Sequence, residues 1–289
     1  MRARIALPAL LAGIGLAAAA VLGAGCSGSP VDVPTQEVTR LRVSGSGTCL
    51  PLLRILAAEQ PDERVKLVFL PGLHSGGGIK GAIQGTLDIG AVSRNLTDSE
   101  RSPDLQVTWL SNDGLAIAVN QSVAALGVKG LTTKQVQDIY AGRVKDWKEV
   151  GAEKSLPITV LDRHEDESAK IIFRTYVLGS QEKFTVTEKS VNLYYESDMV
   201  EALQTTTGAI GYFSLGYAIS QGIPVELLAL DGVEPTVANV ESGTYKIVRP
   251  LGVVTKTDAP AAVKEFVSWA TGPDAKKLMV QKGYVPYSQ

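Results

Sequence analysis

Leu73-His74-Ser75-Gly76-Gly77-Gly78-Ile79-Lys80-Gly81-Ala82-Ile83-Gln84 follows the apolar run Val65-Lys66-Leu67-Val68-Phe69-Leu70, with Pro71 and Gly72 between them. Ile79, Ala82 and Ile83 recur at helical spacing, so the reading is strand, Ser/Gly turn, helix. The first N–H groups of a helix have no partner inside it, and the helix dipole favours negative charge there. Three glycines leave those N–H groups uncovered and Ser75 adds a hydroxyl, which makes the turn a candidate anion site. A glycine-rich turn that only reverses the chain has the same appearance, so the stretch is weighed with its neighbours.

The stretch before it repeats the pattern. Leu41-Arg42-Val43 leads into Ser44-Gly45-Ser46-Gly47-Thr48, and Leu52, Leu53, Leu56 and Ala57 then keep helical spacing. Thr48 stands where a helix cap is expected and Pro51 suits a first turn. The stretch after it is the short strand Leu87-Asp88-Ile89-Gly90-Ala91-Val92, ending in Ser93-Arg94-Asn95. An arginine at a strand end can contact an oxyanion in bidentate fashion. Three polar loops at strand C-terminal ends are where an α/β sheet binds its ligand, so a shared site is favoured over separate turns.

Further along, residues 105–110 and 115–119 read as two strands, and Thr132-Thr133 starts a helix carrying Val136, Ile139 and Tyr140 on one face. Ile158-Thr159-Val160-Leu161 feeds a fourth polar loop, Asp162-Arg163-His164-Glu165-Asp166-Glu167-Ser168-Ala169. Arg163 and Ser168 there suit an anion, whereas Glu165, Asp166 and Glu167 would repel one. Strands alternate with helices to the C-terminus, which argues for an α/β architecture.

Residues 1–25 read as a signal peptide: Arg2 and Arg4, an apolar run over 5–22, then Gly23-Ala24-Gly25 before Cys26. The pattern resembles a bacterial lipoprotein signal, in which Cys26 would be lipidated and residues 26–40 would tether the folded part. That leaves Cys49 without an intrachain partner and expected to be a buried small hydrophobe. The leader holds two of the 28 basic residues and none of the 30 acidic ones, so the remainder carries a net −4. This is no nucleic-acid footprint, and any anion must be held by local groups.

From residue 41 to 287 the chain resembles the phosphate-binding proteins of bacterial phosphate-specific ABC transporters. The resemblance rests on Gly45-Ser46-Gly47-Thr48, Ser75-Gly76-Gly77-Gly78-Ile79-Lys80 and Asp88-Ile89-Gly90-Ala91-Val92-Ser93-Arg94. It continues through Leu131-Thr132-Thr133 with Ile139-Tyr140-Ala141-Gly142 and Trp147, Gly208-Ala209-Ile210-Gly211-Tyr212, and Gly283-Tyr284-Val285-Pro286. It implies an α/β, two-lobed type II periplasmic-binding-protein fold with the ligand cleft between lobes. Lobe I is expected at 41–117 and 250–289, and lobe II at 118–249. The resemblance implies a ligand site made of Gly47, Thr48, Ser75, Gly76, Ser93 and Arg94 from the first lobe, and Arg163, His164 and Ser168 from the second. It implies a monomeric, extracytoplasmic, lipid-anchored binding protein that is not an enzyme and uses no cofactor. Its partners would be phosphate or a similar tetrahedral oxyanion, an ABC permease and the membrane.

The fourth loop departs from the family's Arg-x-x-Gly-Ser-Gly-Thr pattern. His164 falls on the arginine position, with Arg163 one residue early, and Glu167 and Ala169 replace the glycines flanking Ser168. A different class of function follows if that change abolishes tight phosphate binding: the same fold kept as an interaction or sensing protein. Asp166 is a candidate acceptor for a ligand proton. A metal site at His74 and His164 is not expected, because two histidines are few for a dedicated centre.

Overall fold

The computed structural model describes residues 37–179 and 183–288; the leader, Cys26 and most of the tether lie outside them. The chain opens with β1 (Thr39–Gly45), α1 (Cys49–Glu59), β2 (Val65–Phe69), α2 (His74–Gln84), β3 (Ile89–Val92) and β4 (Leu105–Val119). A middle section follows: α3 (Gln121–Ala124), β5 (Gly130–Leu131), α4 (Thr133–Tyr140), β6 (Thr159–Arg163), α5 (Ser168–Phe173), β7 (Val191–Leu193) and α6 (Glu196–Thr205). It ends with β8 (Ala209–Ser214), α7 (Leu215–Gln221), β9 (Glu226–Leu227), β10 (Ala229–Leu230) and α8 (Val237–Glu241). The chain closes with β11 (Val248–Lys256), α9 (Ala261–Ala270), α10 (Pro273–Gln281) and β12 (Val285–Pro286).

The main sheet runs β2-β1-β3-β11-β4-β8-β6-β7, with β9 and β12 also paired to β4. β1 is parallel to β2 and β3, and β6 is parallel to β7 and β8. β4 and β11 are antiparallel to each other and join the two parallel groups.

Among the described residues, apolar side chains gather in four clusters, of which the two largest flank that join. One core gathers Leu41, Val43, Leu52, Leu53, Leu56, Leu110, Leu251, Phe266 and Met279. The other gathers Leu115, Ile117, Val136, Ile139, Tyr140, Trp147, Phe173, Tyr212 and Ile247. α1 shows why the helix forms where its periodicity says: Leu52, Leu53 and Leu56 are fully buried, each worth about 1.5–3 kcal/mol of transfer. Among the described residues no helix is long and apolar enough to cross a membrane.

Two local features differ from the sequence reading. Residues 105–119 form one strand, not two, because Asp113 sits in register opposite Arg249 and is buried against it. The second concerns α2, which begins at His74 and runs through the three glycines rather than after them. A Cβ on Gly78 would come within 2.8 Å of the Ala91 carbonyl oxygen and 2.9 Å of Gly45 Cα, and one on Gly90 within 2.3 Å of the Gly78 oxygen. Gly78 is thus required by helix–sheet contact; close packing outweighs the helix cost of glycine, about 1 kcal/mol per residue.

Candidate functional site

Where β1 and β3 end and α2 begins, their hydroxyls converge with one from α5. Ser93, at the end of β3, lies with its Oγ 2.6 Å from Ser46 Oγ and 2.5 Å from Ser168 Oγ. Its backbone N–H donates to Ser75 Oγ at 3.2 Å. All four serines are at most 4% exposed. Ser46 follows directly on β1, and its N–H donates to the Ala91 carbonyl, which fixes that loop against β3. Ser168 begins the helix whose Ala169 and Phe173 belong to the other core, so the hydroxyl cluster spans the junction of the two cores.

Beside the hydroxyls lies a chain of buried charges. Arg163, at the end of β6, is 1% exposed. Its Nη1 donates to Glu196 Oε2 at 2.8 Å, and its Nη2 donates to Glu167 Oε2 at 2.8 Å and to the Tyr194 carbonyl at 3.1 Å. Its Nε is buried and has no hydrogen-bond partner. The second oxygen of Glu167 pairs with His74 Nδ1. Thr48 Oγ1 donates to Glu196 Oε2 at 3.2 Å, and the Ser214 N–H donates to Glu196 Oε1 at 2.8 Å. Arg249 approaches Glu196 at 3.7 Å and Asp113 at 3.3 Å, while Asp113 accepts from Ser214 Oγ and the Gly216 N–H.

These contacts set the charge states. Burial pushes the Glu196 carboxyl up, but Arg163 and Arg249 outweigh it and hold the group below its usual value. Burial raises Asp113 above the usual carboxylate range despite Arg249. Burial and then Arg163 and His164 lower His74, with Asp166 opposing, while its Nδ1 lies against Glu167. His74 reaches this position with φ = 57°, a left-handed conformation uncommon for a residue with a Cβ.

The residues proposed from sequence occupy different places. Thr48, Ser75, Ser93, Arg163 and Ser168 meet at the junction. Gly47 borders open space and Gly76 faces Arg94 and Glu100. Arg94 makes a bidentate pair with Glu100, two contacts of 2.8 Å, which holds the Glu100 carboxyl down to about 2. His164 packs its ring 5.1 Å from that of Tyr194, with its Nδ1 buried and unpaired, 3.6 Å from Asp166. The Asp166 carboxylate itself is 84% exposed, because the loop turns it outward. His74 and His164 both pack against Tyr194, and the described residues contain no group of three or more His, Cys, Asp or Glu able to hold a metal.

Several participants escaped the sequence reading, Arg249 and Ser214 among them. Ser46 lies in a loop already singled out, and its alternation with Gly45 and Gly47 was a usable signal. Glu167 reads in the sequence as a group that would repel an anion; it is 4% exposed and faces Arg163. Glu196 and Asp113 gave no local signal. Of the remaining loop acids, Glu165 pairs with Arg174, and beneath the loop Lys170 pairs with Asp162, which also accepts from Tyr212 OH at 2.7 Å.

A mixed sheet joined by two antiparallel strands, with two cores and a polar cluster at their junction, is the type II periplasmic-binding-protein fold. A family model described as a PBP superfamily domain matches residues 31–274. The phosphate-binding protein PstS of Bacillus subtilis (strain 168) is 31% identical over 257 residues, covering 85% of this chain and 80% of the relative. Among solved structures, one from Clostridium perfringens is described as a phosphate ABC transporter substrate-binding protein with bound phosphate. It superposes with a TM-score of 0.75 at 27% identity, covering 86% of this chain and 100% of that one. An ABC-type phosphate transport receptor from Vibrio cholerae gives 0.64 at 29% identity, covering 85% and 99%. The chain therefore belongs to the PBP superfamily and, within it, to the family of the phosphate-binding protein PstS.

Proposed function

We propose that the protein is the extracytoplasmic binding component of an ABC transporter. It captures phosphate or a similar tetrahedral oxyanion between two lobes and delivers it to a membrane permease. The observation that carries this reading is Ser93, whose hydroxyl meets Ser46 from one core and Ser168 from the other beside Arg163. Hydroxyls and guanidinium N–H groups gathered from two lobes can surround an oxyanion and desolvate it, and donors left unpaired there discriminate against poorer ligands. Thr48, Ser75, Ser93, Arg163 and Ser168 supply the donors; Gly47, Gly76, Arg94 and His164 form the rim, Arg94 turning between Glu100 and the ligand.

The lobes would comprise residues 41–117 with 250–289, and 118–249; the two apolar cores support that division except at Leu115, Ala116, Ile117 and Val285, which pack with the second core. The leader and Cys26 fit an anchor that holds a monomeric, non-enzymatic body at the outer face of the membrane. Calorimetry with phosphate tests the reading: saturable heat with phosphate at micromolar to millimolar concentration is expected, and none at millimolar phosphate would sink it.

A further inference from the structure

Glu167 stands out among the site residues. It precedes the first residue of α5, yet its side chain makes no capping bond to that helix. Instead its two oxygens reach Arg163 Nη2 and His74 Nδ1. It thereby occupies the cation beside the serine cluster and links α2 to the β6–α5 loop. Carboxylate and oxyanion are both acceptors that suit the same N–H fork. Arg163 retains a buried Nε without a partner, so the guanidinium has donor capacity that the two carboxylates do not use. The groups facing Glu167 are Arg163 on β6, His74 on α2, and Glu196 on α6 across the guanidinium. That set carries two carboxylates for one permanent cation.

We infer that Glu167 is a tethered competitor: its carboxylate occupies the donors an incoming oxyanion needs, and the ligand must displace it from Arg163 and His74 to bind. The inference rests on the oxyanion-binding function proposed above and deepens it, making Glu167 the residue that sets affinity. A like charge held against an anion opposes its binding, and displacement must offset that repulsion.

The test is titration calorimetry of the full chain with phosphate and separately with sulfate, for the wild type, Glu167→Gln and Glu167→Gly, with a thermal melt of each to show folding. Removing the competitor is expected to tighten phosphate about tenfold or more, with sulfate tightening in parallel. Glu167→Gly is an independent route to the same result if the glutamine variant does not fold. Unchanged or weaker phosphate binding in the folded variants, with the wild type binding normally, overturns the inference and leaves the phosphate reading intact. Weaker phosphate together with stronger sulfate also overturns it, because Glu167 would then be accepting a ligand proton. No binding of either anion by any of the three proteins would remove both.

Discussion

Glu196 is the residue on which the buried network turns, and replacing it with glutamine tests the network most directly. It is 3% exposed and accepts from Arg163, Thr48 and the Ser214 N–H, with Arg249 at 3.7 Å. Glutamine has nearly the same shape and can still accept from Ser214 with its one oxygen. It removes the charge that faces two guanidiniums and turns an NH2 group toward at least one of them. Breaking a buried pair by neutralising one partner costs about 3–5 kcal/mol, because the other charge stays buried without compensation. At about 2–4 °C per kcal/mol for a chain of this size, the thermal midpoint should fall by about 6–20 °C. Scanning calorimetry measures that shift. A midpoint within about 2 °C of wild type, equivalent to less than about 1 kcal/mol, would refute the account of Glu196 as the hub.

Other consequences follow from single contacts. Gly90→Ala places a methyl 2.3 Å from the Gly78 carbonyl oxygen; a loss of about 1–3 kcal/mol or more is expected in urea unfolding, and a neutral variant would show that α2 can move away. The Cys49 thiol is fully buried and pushed up to about 12 by burial, so a thiol reagent in mildly alkaline buffer should label the protein only after unfolding. Glu100 is held at about 2 against an ordinary 4.5, first by its hydrogen bond from Arg94. A depressed carboxyl stabilises above its unfolded value and loses that contribution as pH falls towards 2, so Glu100→Gln should flatten that part of an acid titration of stability. Arg94→Ala should weaken phosphate about thirtyfold or more if Arg94 turns to the ligand; unchanged affinity would confine it to Glu100.

What could be read in advance depended on whether the signal was local. α1 and α4 announce themselves through Leu52, Leu53, Leu56 and through Val136, Ile139, Tyr140, since apolar spacing reports which face is buried. Ser46, Ser75 and Ser93 lie just past the C-terminal ends of β1, β2 and β3, so their clustering follows from the parallel order of those strands. Residues 74–78 misled because glycine normally ends a helix, and only contact with Gly45 and Gly90, remote in sequence, makes glycine the fitting residue there. Residues 111–114 looked like a break in the strand for a related reason: the polarity of Asp113 is explained by Arg249, 136 positions away. Glu196 meets Thr48 across 148 positions. Neither partner carries a mark of the other in its own segment.

The charges at the junction bear on how such a site can select an anion. Arg163 and Arg249 are faced by Glu167, Glu196 and Asp113. Even with Asp113, which burial raises, left out of the count, the cluster offers an oxyanion no excess of positive charge. Attraction from a distance is therefore weak, and affinity must come from short contacts made after the ligand has entered. Serine and threonine hydroxyls suit that task, because each can rotate to donate to an anion or accept from a protonated one without changing the charge of the site. Ser93 already exchanges such contacts with Ser46 and Ser168. On the proposed function, the hydroxyl wall from β1, α2 and β3 recognises tetrahedral geometry in general. The opposite wall at 163–168 decides how much binding energy remains once its own carboxylate has been displaced.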